Sequence, residues 1–349
     1  MTTMTETSTR VTGGVDTHRD VHVAAALDER GALLGTAEFD TTASGYCDLL
    51  AWLRQFGDVE RVGVEGTGTY GAGLARHLGD AGVAVVEVDR PNRQRRRRAG
   101  KSDTTDAVSA ARAALSGEAT SMAKSRNGNV EKVRALRVAR RSIVRERVRA
   151  INALRALVVT APPELREQLD GLTAIGVAQA AAKFRVADPT TTSGALKYAM
   201  RSLGRRAEAL RAEAKEINDI LRTIITATAP ELIARPGIGV DSAGALLVAA
   251  GDNPERMRSE ASFAKLCAAA PVEASSGMVT RHRLSRAGNR EANAALFTII
   301  INRMGRDPET QAYVARRVDE GKSTLETIRC LKRYVAREVY PLLNAALTT

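Results

Sequence analysis

Gly13-Gly14-Val15-Asp16-Thr17-His18-Arg19-Asp20-Val21-His22-Val23-Ala24-Ala25-Ala26-Leu27-Asp28 reads as one strand, a short polar turn and a second strand. Val21, Val23 and Ala25 alternate with His22, Ala24 and Ala26, the period of a half-buried strand. Asp16 falls just past the first apolar run, where a strand delivers a side chain to the edge of a sheet. A carboxylate buried there is expensive unless something positive meets it. In so basic a chain the expected partner is a metal ion, shared with carboxylates further along.

Outward from that pair, residues 11–89 alternate strand and helix. Gly31–Phe39 is a third strand, reached through an Asp-Glu-Arg-Gly turn, and Ser44–Phe56 a helix with Ser44 as its N-cap and Leu49, Leu50, Trp52 and Leu53 on its apolar side. Val62-Gly63-Val64 is a short buried strand ending in Glu65. A helix follows from about Tyr70 to Asp80, and Val83–Val88 forms another strand. Antiparallel strands followed by β-α-β units describe a mixed α/β sheet of the ribonuclease-H kind. Arg90–Lys101, with seven basic residues and no apolar face, is a loop, and Asp103–Leu115 returns to helix behind Ser102 as N-cap.

The middle of the chain is all helix. Glu131–Val158 sets Val144, Val148, Ile151, Leu154 and Val158 on one stripe and scatters arginines over the rest. After Pro162-Pro163 a second long helix runs from about Ala195 to Thr226. Its Leu203, Ala207, Leu210, Ala214, Ile217, Leu221 and Ile224 form a heptad seam that wants a partner helix. An intramolecular hairpin and an oligomer both satisfy it, and the narrow, sustained seam favours the oligomer. From Ala229 the texture changes again: an apolar helix over 240–250, then helices around 259–269, 289–304, 309–319 and 323–347, with a basic loop over Pro271–Asn289. The expected architecture is α/β plus all-α in three parts, residues 10–118, 119–228 and 229–349.

Composition narrows the function. Lys+Arg 52 against Asp+Glu 40 leaves +12, which points to a polyanionic partner, nucleic acid before membrane. No apolar run approaches the roughly 20 residues of a membrane span, and the first ten residues lack a signal peptide's order. Cys47, Cys267 and Cys330 are far apart and odd in number, so they are expected as small buried hydrophobes of a reducing cytosol. Aromatics at 3% argue against base stacking as the main mode of recognition.

Four carboxylates stand at element ends: Asp16, Glu65, Asp103 and Asp106. The first two terminate strands, and the last two, three apart at a helix start, share a face. Hard oxygen ligands converging at a sheet edge suit Mg²⁺; taken singly, each acid is also what a helix start or strand end tolerates. Gly66-Thr67-Gly68-Thr69-Tyr70-Gly71, with Glu87 on the next strand, formally satisfies a dinucleotide fingerprint. That reading leaves Asp16, Asp103, Asp106 and the arginine loop idle, and three strands precede the glycines. Pro236-Gly237-Ile238-Gly239 looks like the hairpin of a helix-hairpin-helix, with Gly237 and Gly239 letting backbone amides approach a phosphate. Ser275-Ser276-Gly277 is followed closely by Arg281, His282, Arg283, Arg286 and Arg290, cations of the kind a serine needs to attack a phosphate.

Together these pieces resemble the DEDD-serine insertion-sequence transposases, relatives of the Piv and MooV DNA invertases and of the bridge-RNA-guided recombinases. The matching residues are GVDTHRD around Asp16, VGVEGTGTYG around Glu65, KSDTTDA around Asp103 and Asp106, RPGIG at 235–239, and the SSG of 275–277 followed by RHRLSRAGN. The resemblance implies a RuvC-like first domain, a coiled-coil middle and a helical transposase domain carrying the serine. It implies further that Asp16, Glu65, Asp103 and Asp106 hold Mg²⁺ and that Ser276 forms a covalent phosphoserine link to DNA. Ser275 is the alternative in another loop register, and Ser285 a distant third. The implied partners are double-stranded DNA at element ends and target, a structured guide RNA, and further copies of the chain as dimer or tetramer, in the cytoplasm at the nucleoid. Arg93, Arg95, Arg96, Arg97, Arg98 and Lys101 are expected to contact the nucleic-acid backbone. The rival readings are a RuvC-like nuclease that uses water in place of the serine, a non-enzymatic nucleic-acid-binding protein, and the nucleotide-cofactor enzyme.

Overall fold

In the computed structural model, which describes residues 9–88, 102–253, 256–273, 282–285 and 288–348, the opening stretch is the antiparallel pair that its alternation predicts. Strand β1 (Arg10–Thr17) pairs with β2 (Val21–Leu27), Gly14 opposite Ala25 and Asp16 opposite Val23. Strand β3 (Leu33–Asp40) adds to β2, again antiparallel. On its other side β1 runs parallel to β4 (Asp58–Glu65), with Gly14 opposite Gly63 and Val15 opposite Val64. Parallel β5 (Ala84–Val88) and the short antiparallel β6 (Ser121–Met122) complete the order β3-β2-β1-β4-β5-β6. This is the mixed sheet expected from the sequence.

The two faces of the sheet are covered differently. On one, Val11, Val15, Val62 and Val64 pack with Leu49, Leu50 and Leu53 of α1 (Ala43–Arg54) and with Leu74 and Leu78 of α2 (Ala72–Asp80). The cap of α1 is Thr42 in place of the expected Ser44: the Gly45 amide donates to Thr42 Oγ1 at 3.1 Å, and Ser44 Oγ lies 3.0 Å from the same oxygen. The chain leaves β3 so tightly that a Cβ on Gly45 would stand 2.1 Å from the Asp40 carbonyl oxygen, which draws the first helical turn forward.

On the opposite face lies α3 (Asp103–Leu115), capped by Ser102 as expected, whose Oγ accepts from the Thr105 amide at 3.2 Å. Its buried side is Asp106, Ala107, Ala110, Ala111 and Ala114. The alanines lie directly on the strands. A Cβ on Gly14 would sit 2.1 Å from the Ala111 nitrogen, and one on Gly63 2.5 Å from the Ala110 carbonyl oxygen. Because side chains alternate along a strand, Asp16 and Glu65, two residues beyond those glycines, belong to the α3 face.

By contact the chain divides into two compact units: residues up to Gly128 together with 250–258, and residues 129–249 together with 259 onward. In the second unit α4 (Asn129–Val159) packs along α7 (Thr192–Thr228) as an antiparallel hairpin. The short α5 (Pro163–Glu167) and α6 (Ala174–Ala182) cap its end through Leu154, Leu165, Val177, Ala178, Met200 and Ala207. The α7 seam thus finds a partner within the chain: Ala207, Ala214 and Leu221 are buried, and Leu203, Leu210, Ile217 and Ile224 half-buried. Of the stripe expected on α4, Leu154 is buried and Ile151 and Val158 pack against the same core. Val148 is corrected: it is 47% exposed, and Ile143 and Ala150 are buried instead, because their spacing to Leu154 of seven and four tracks the partner helix. Arg137 is buried as well, its Nη1 2.8 Å from Asp241 Oδ1 and its Nη2 3.5 Å from Glu291 Oε2.

The remaining helices are α8 (Pro230–Ile233), α9 (Val240–Ala250), α10 (Glu260–Leu266), α11 (Arg290–Arg306), α12 (Pro308–Asp319) and α13 (Thr324–Thr348). The basic segment 271–289 is not wholly a loop. Strands β7 (Pro271–Glu273) and β8 (His282–Leu284) pair antiparallel, Val272 opposite Arg283; three-residue arms are too short for alternation to announce them. Among the described residues no helix is long and apolar enough to cross a membrane. The three cysteines are free: Cys267 is buried, its thiol pushed up to about 12 by burial, but Cys47 is exposed on α1 and Cys330 half-buried, so only one behaves as the expected core residue.

Two outcomes follow. Gly14→Ala should destabilise the protein by about 2–3 kcal/mol, since backbone must move to admit the methyl, whereas Gly79→Ala in α2, where an added Cβ meets nothing within 4 Å, should add about 0.5 kcal/mol. Thermal unfolding of the two variants checks this, and an unchanged Tm in Gly14→Ala would contradict the close seat. His22 is buried on β2 and stacks on Tyr46 at 5.7 Å; burial is the main cause of its lowered pKa, with the nearby His18 adding to it. The unfolded chain therefore binds this proton more readily than the folded one. Stability is full above the ordinary imidazole value of about 6.5 and falls as pH drops below it. Denaturant midpoints between pH 7.5 and 5 should fall less steeply in His22→Phe than in the parent.

Candidate metal centre

The sheet's α3 face becomes polar where the strands end. Asp16, next to last in β1, is only 6% exposed, Glu65, last in β4, 8%, and Asp106, one turn into α3, 8%. Asp103, at the first position of α3, keeps a half-exposed side chain. Two residues beyond Asp16 the imidazole of His18 stands over the same edge, its Nε2 3.2 Å from Asp16 Oδ2 and 3.4 Å from Asp103 Oδ2. Asp16, His18 and Asp103 each offer a ligand atom within 4.8 Å of the others. Glu65 and Asp106 stand outside that group of three. The Asp106 charge nevertheless acts on Asp16, and β1 and β4 are locked together here by Thr17 Oγ1, which donates to the Glu65 carbonyl oxygen at 2.8 Å.

Burial pushes the Asp16 carboxyl above the ordinary carboxylate range. The His18 imidazole pulls it back, and the charges of Asp106 and Asp103 add to the rise. Crowded acids of one sign under a helix of alanines are an unfavourable arrangement unless a cation lies among them. His18 Nε2 supports that reading: it is buried and, close as the two carboxylates are, makes no hydrogen bond of sound geometry with either. A ring nitrogen and carboxylate oxygens disposed this way fit a small divalent ion. The oxygens suit Mg²⁺ and the imidazole extends the preference towards Mn²⁺. Asp16, His18 and Asp103 can hold such an ion from one side, with Asp106 and Glu65 at its border.

His18 is a ligand candidate that the carboxylate pattern does not include. Its signal is Asp16-Thr17-His18, since a residue two past Asp16, directly after the end of β1, keeps to the same face if the extended backbone continues.

The other expected site residues are placed as follows. Gly237 takes the left-handed conformation, φ 75°, in the turn between α8 and α9, where Arg303 Nε donates to the Pro236 carbonyl oxygen at 2.8 Å. Gly239 borders open space immediately before α9. Arg283 on β8 and Arg290 at the start of α11 are exposed. Arg93, Arg95, Arg96, Arg97, Arg98, Lys101, Ser275, Ser276, Arg281 and Arg286 lie outside the described residues. In the glycine fingerprint, Gly66 has φ 69°, and a Cβ on Gly71 would come within 2.9 Å of Val64 Cγ1, so the turn itself requires both glycines. Glu87, the acid a ribose would need, lies 3.7 Å from the Arg256 guanidinium.

Comparison with known proteins finds two matching segments and one relative. Residues 13–163 match the IS110-type DEDD model described as a transposase, and residues 229–315 match the model described as the transposase IS116/IS110/IS902 family. The chain is also similar to the insertion element IS110 uncharacterized 43.6 kDa protein of Streptomyces coelicolor, 27% identical over 155 residues. That match covers 44% of this chain and 38% of the relative's length. The first matched segment contains all four of the acids.

Titration of the protein with Mn²⁺ by calorimetry tests the centre. Asp16→Asn should weaken binding by more than tenfold and His18→Ala by about tenfold, while Asp20→Asn, on the exposed turn between β1 and β2, should leave it unchanged.

Proposed function

We propose that this chain, two segments of which match models of IS110-type transposases, belongs to that family and is a divalent-metal-dependent enzyme that cuts and rejoins DNA strands. The observation that carries the reading is the convergence of Asp16, His18 and Asp103, with Asp106 and Glu65 beside them, where α3 begins over the ends of β1 and β4. Asp16, Glu65, Asp103 and Asp106 would hold Mg²⁺, with His18 as an additional ligand. When bound, such ions neutralise charge on the phosphodiester oxygens and favour the deprotonated form of the attacking oxygen. The residues of the site fix where that chemistry occurs. The alanine face of α3 keeps water away from one side of Asp16, and Thr17 ties β1 to β4 so that the two strand-end acids keep their spacing.

Ser276, or Ser275 in the neighbouring register, is the proposed nucleophile. Its Oγ bonds to phosphorus, the bond between phosphorus and a deoxyribose oxygen breaks, and the departing DNA hydroxyl takes up a proton. Attack by the hydroxyl of a second strand then reverses the step. One phosphodiester replaces another, so no outside energy source is needed. This assignment is supported by the run of arginines after the serine pair and by the resemblance of that segment to serine transposases. The proposed substrates are duplex element ends and target, chosen with a structured guide RNA, in the cytoplasm at the nucleoid. The arginine-rich segment 90–101 would grip phosphates without reading sequence. Assembly into a dimer or tetramer is proposed on the resemblance alone, since the α7 seam packs on α4 within the chain.

A denaturing gel of the protein with Mg²⁺, element-end DNA and copurifying RNA tests the reading. A covalent protein–DNA adduct is expected, lost in both Ser276→Ala and Asp16→Asn, with DNA affinity in each within about threefold of the parent. Cleavage without an adduct, lost in Asp16→Asn but not in Ser276→Ala, would replace the serine with water and make the protein a hydrolytic nuclease. Cleavage that survives Asp16→Asn would overturn the metal reading itself.

A further inference from the structure

The corner between α10 and β7 is held by two polar side chains that take no part in the metal centre. Helix α10 ends at Leu266, and Ala268, two residues on, takes φ 51°, one of only two non-glycine residues in the left-handed region among the described residues. A backbone turned that way is unfavourable for alanine and persists where its surroundings impose it. The first turn of α11 imposes it. The Asn289 amide donates to the Leu266 carbonyl oxygen at 2.7 Å, and Asn293 Nδ2 donates to the Cys267 and Ala268 carbonyl oxygens at 2.9 and 3.1 Å. Three successive carbonyls at the end of α10 are thus received by one turn of α11. Two residues past Ala268, the Ala270 carbonyl oxygen accepts from the Ser285 amide at 3.1 Å, so β7 and β8 leave from the same corner.

Asn293 is itself held from behind. Lys332, on α13, donates from Nζ to Asn293 Oδ1 at 2.8 Å. That bond decides which end of the amide faces the corner: with Oδ1 taken by an ammonium, Nδ2 is the end left for Cys267 and Ala268. Lys332 is only 9% exposed and lies with Nζ 5.4 Å from the Phe297 ring centroid. Among the described residues it has no carboxylate within ion-pair distance, and burial lowers its pKa. An ammonium buried without an acid costs free energy, and a methionine of similar length would fill the place more cheaply. What the ammonium does there is orient Asn293.

The corner matters because of what it carries. Between the arms of the hairpin lie Ser275 and Ser276, two and three residues past the end of β7. We propose that Asn293 and Lys332 are positioning residues for the nucleophilic serine: by fixing the corner at 266–268 they set the direction in which β7 presents the serine pair to a phosphate. The inference rests on the serine reading above. Neither side chain touches DNA. Misplacing a reacting atom by about 1 Å can cost a hundredfold in rate, while binding, spread over many phosphate contacts, is indifferent to it. A plain helix cap would act differently, since its loss lowers stability and leaves the chemistry as it was.

The test compares the full chain, with copurifying RNA, Mg²⁺ and element-end DNA, to Asn293→Asp, Lys332→Met and Lys332→Arg. Rates of adduct formation are read from single turnovers on denaturing gels, and DNA affinity from anisotropy with Ca²⁺ in place of Mg²⁺. Mass spectrometry of the adduct peptide identifies the serine that reacted. Asn293→Asp keeps a partner for Lys332 but turns an oxygen on the two carbonyls. It should slow the adduct at least about tenfold, leave DNA affinity within about threefold, and divide the adduct between Ser275 and Ser276 where the parent uses one. Lys332→Met should slow the adduct by about threefold, and Lys332→Arg, which keeps a cationic donor, should restore it. A lowered Tm with the parental rate and the parental serine in Asn293→Asp would make the pair a helix cap and overturn the proposal. So would a slow adduct that a loss of affinity matches in proportion. Should Asn293→Asp fail to fold, Lys332→Met decides, and parental behaviour there overturns the proposal equally. Cleavage by the parent without any adduct would instead end the serine reading, whatever the variants do.

Discussion

A helix rests directly on strands only where the strands lack side chains, and the candidate centre depends on that contact. Gly14 and Gly63 face each other across β1 and β4, and the alanine side of α3 sits on both at backbone distance. The seat fixes how high α3 stands above the sheet and where its first turn begins. Ser102 starts that turn, and Asp103 and Asp106 are carried to the ends of the two strands, where Asp16 and Glu65 follow the glycines at the same side-chain parity. A larger residue at either glycine would lift the helix and part the acids by more than a coordination shell tolerates.

The electrostatics follow from that geometry. Three of the acids are nearly buried, and Asp16 feels the charges of Asp106 and Asp103 in a chain whose overall balance is +12. A divalent cation, as proposed, would satisfy several of these carboxylates at once. Elsewhere in the first unit Lys124, Arg126 and Arg256 gather with Glu87 and Asp252 at the β6 edge, and the sequence between 90 and 101 carries seven basic residues. A cluster of acids suited to a metal within a basic chain is the charge balance that the proposed strand transfer on a polyanion calls for.

Much of this was legible beforehand, for identifiable reasons. β1, β2 and β4 declared themselves through alternation and buried runs, and α3 through Ser102 and its acids, because those signals are local. The Ser44 cap and Val148 of the α4 stripe were misplaced because each depends on a neighbour: the Asp40 carbonyl in one instance, the drift of α7 along α4 in the other. His18 is not part of a pattern of oxygen ligands, and its place beside Asp16 follows from the turn just after β1. The return of residues 250–258 to the first unit had no sequence signal at all; it rests on Asn253 and Arg256 bonding to main chain more than a hundred residues away.

The most direct measurement of the central claim is the anomalous scattering of Mn²⁺ in crystals of the full chain. The account predicts a peak at the start of α3, within bonding distance of the Asp16 and Asp103 carboxylates and of His18 Nε2. A peak elsewhere, or none at saturating Mn²⁺ with these acids joined to one another by shared protons, would contradict it.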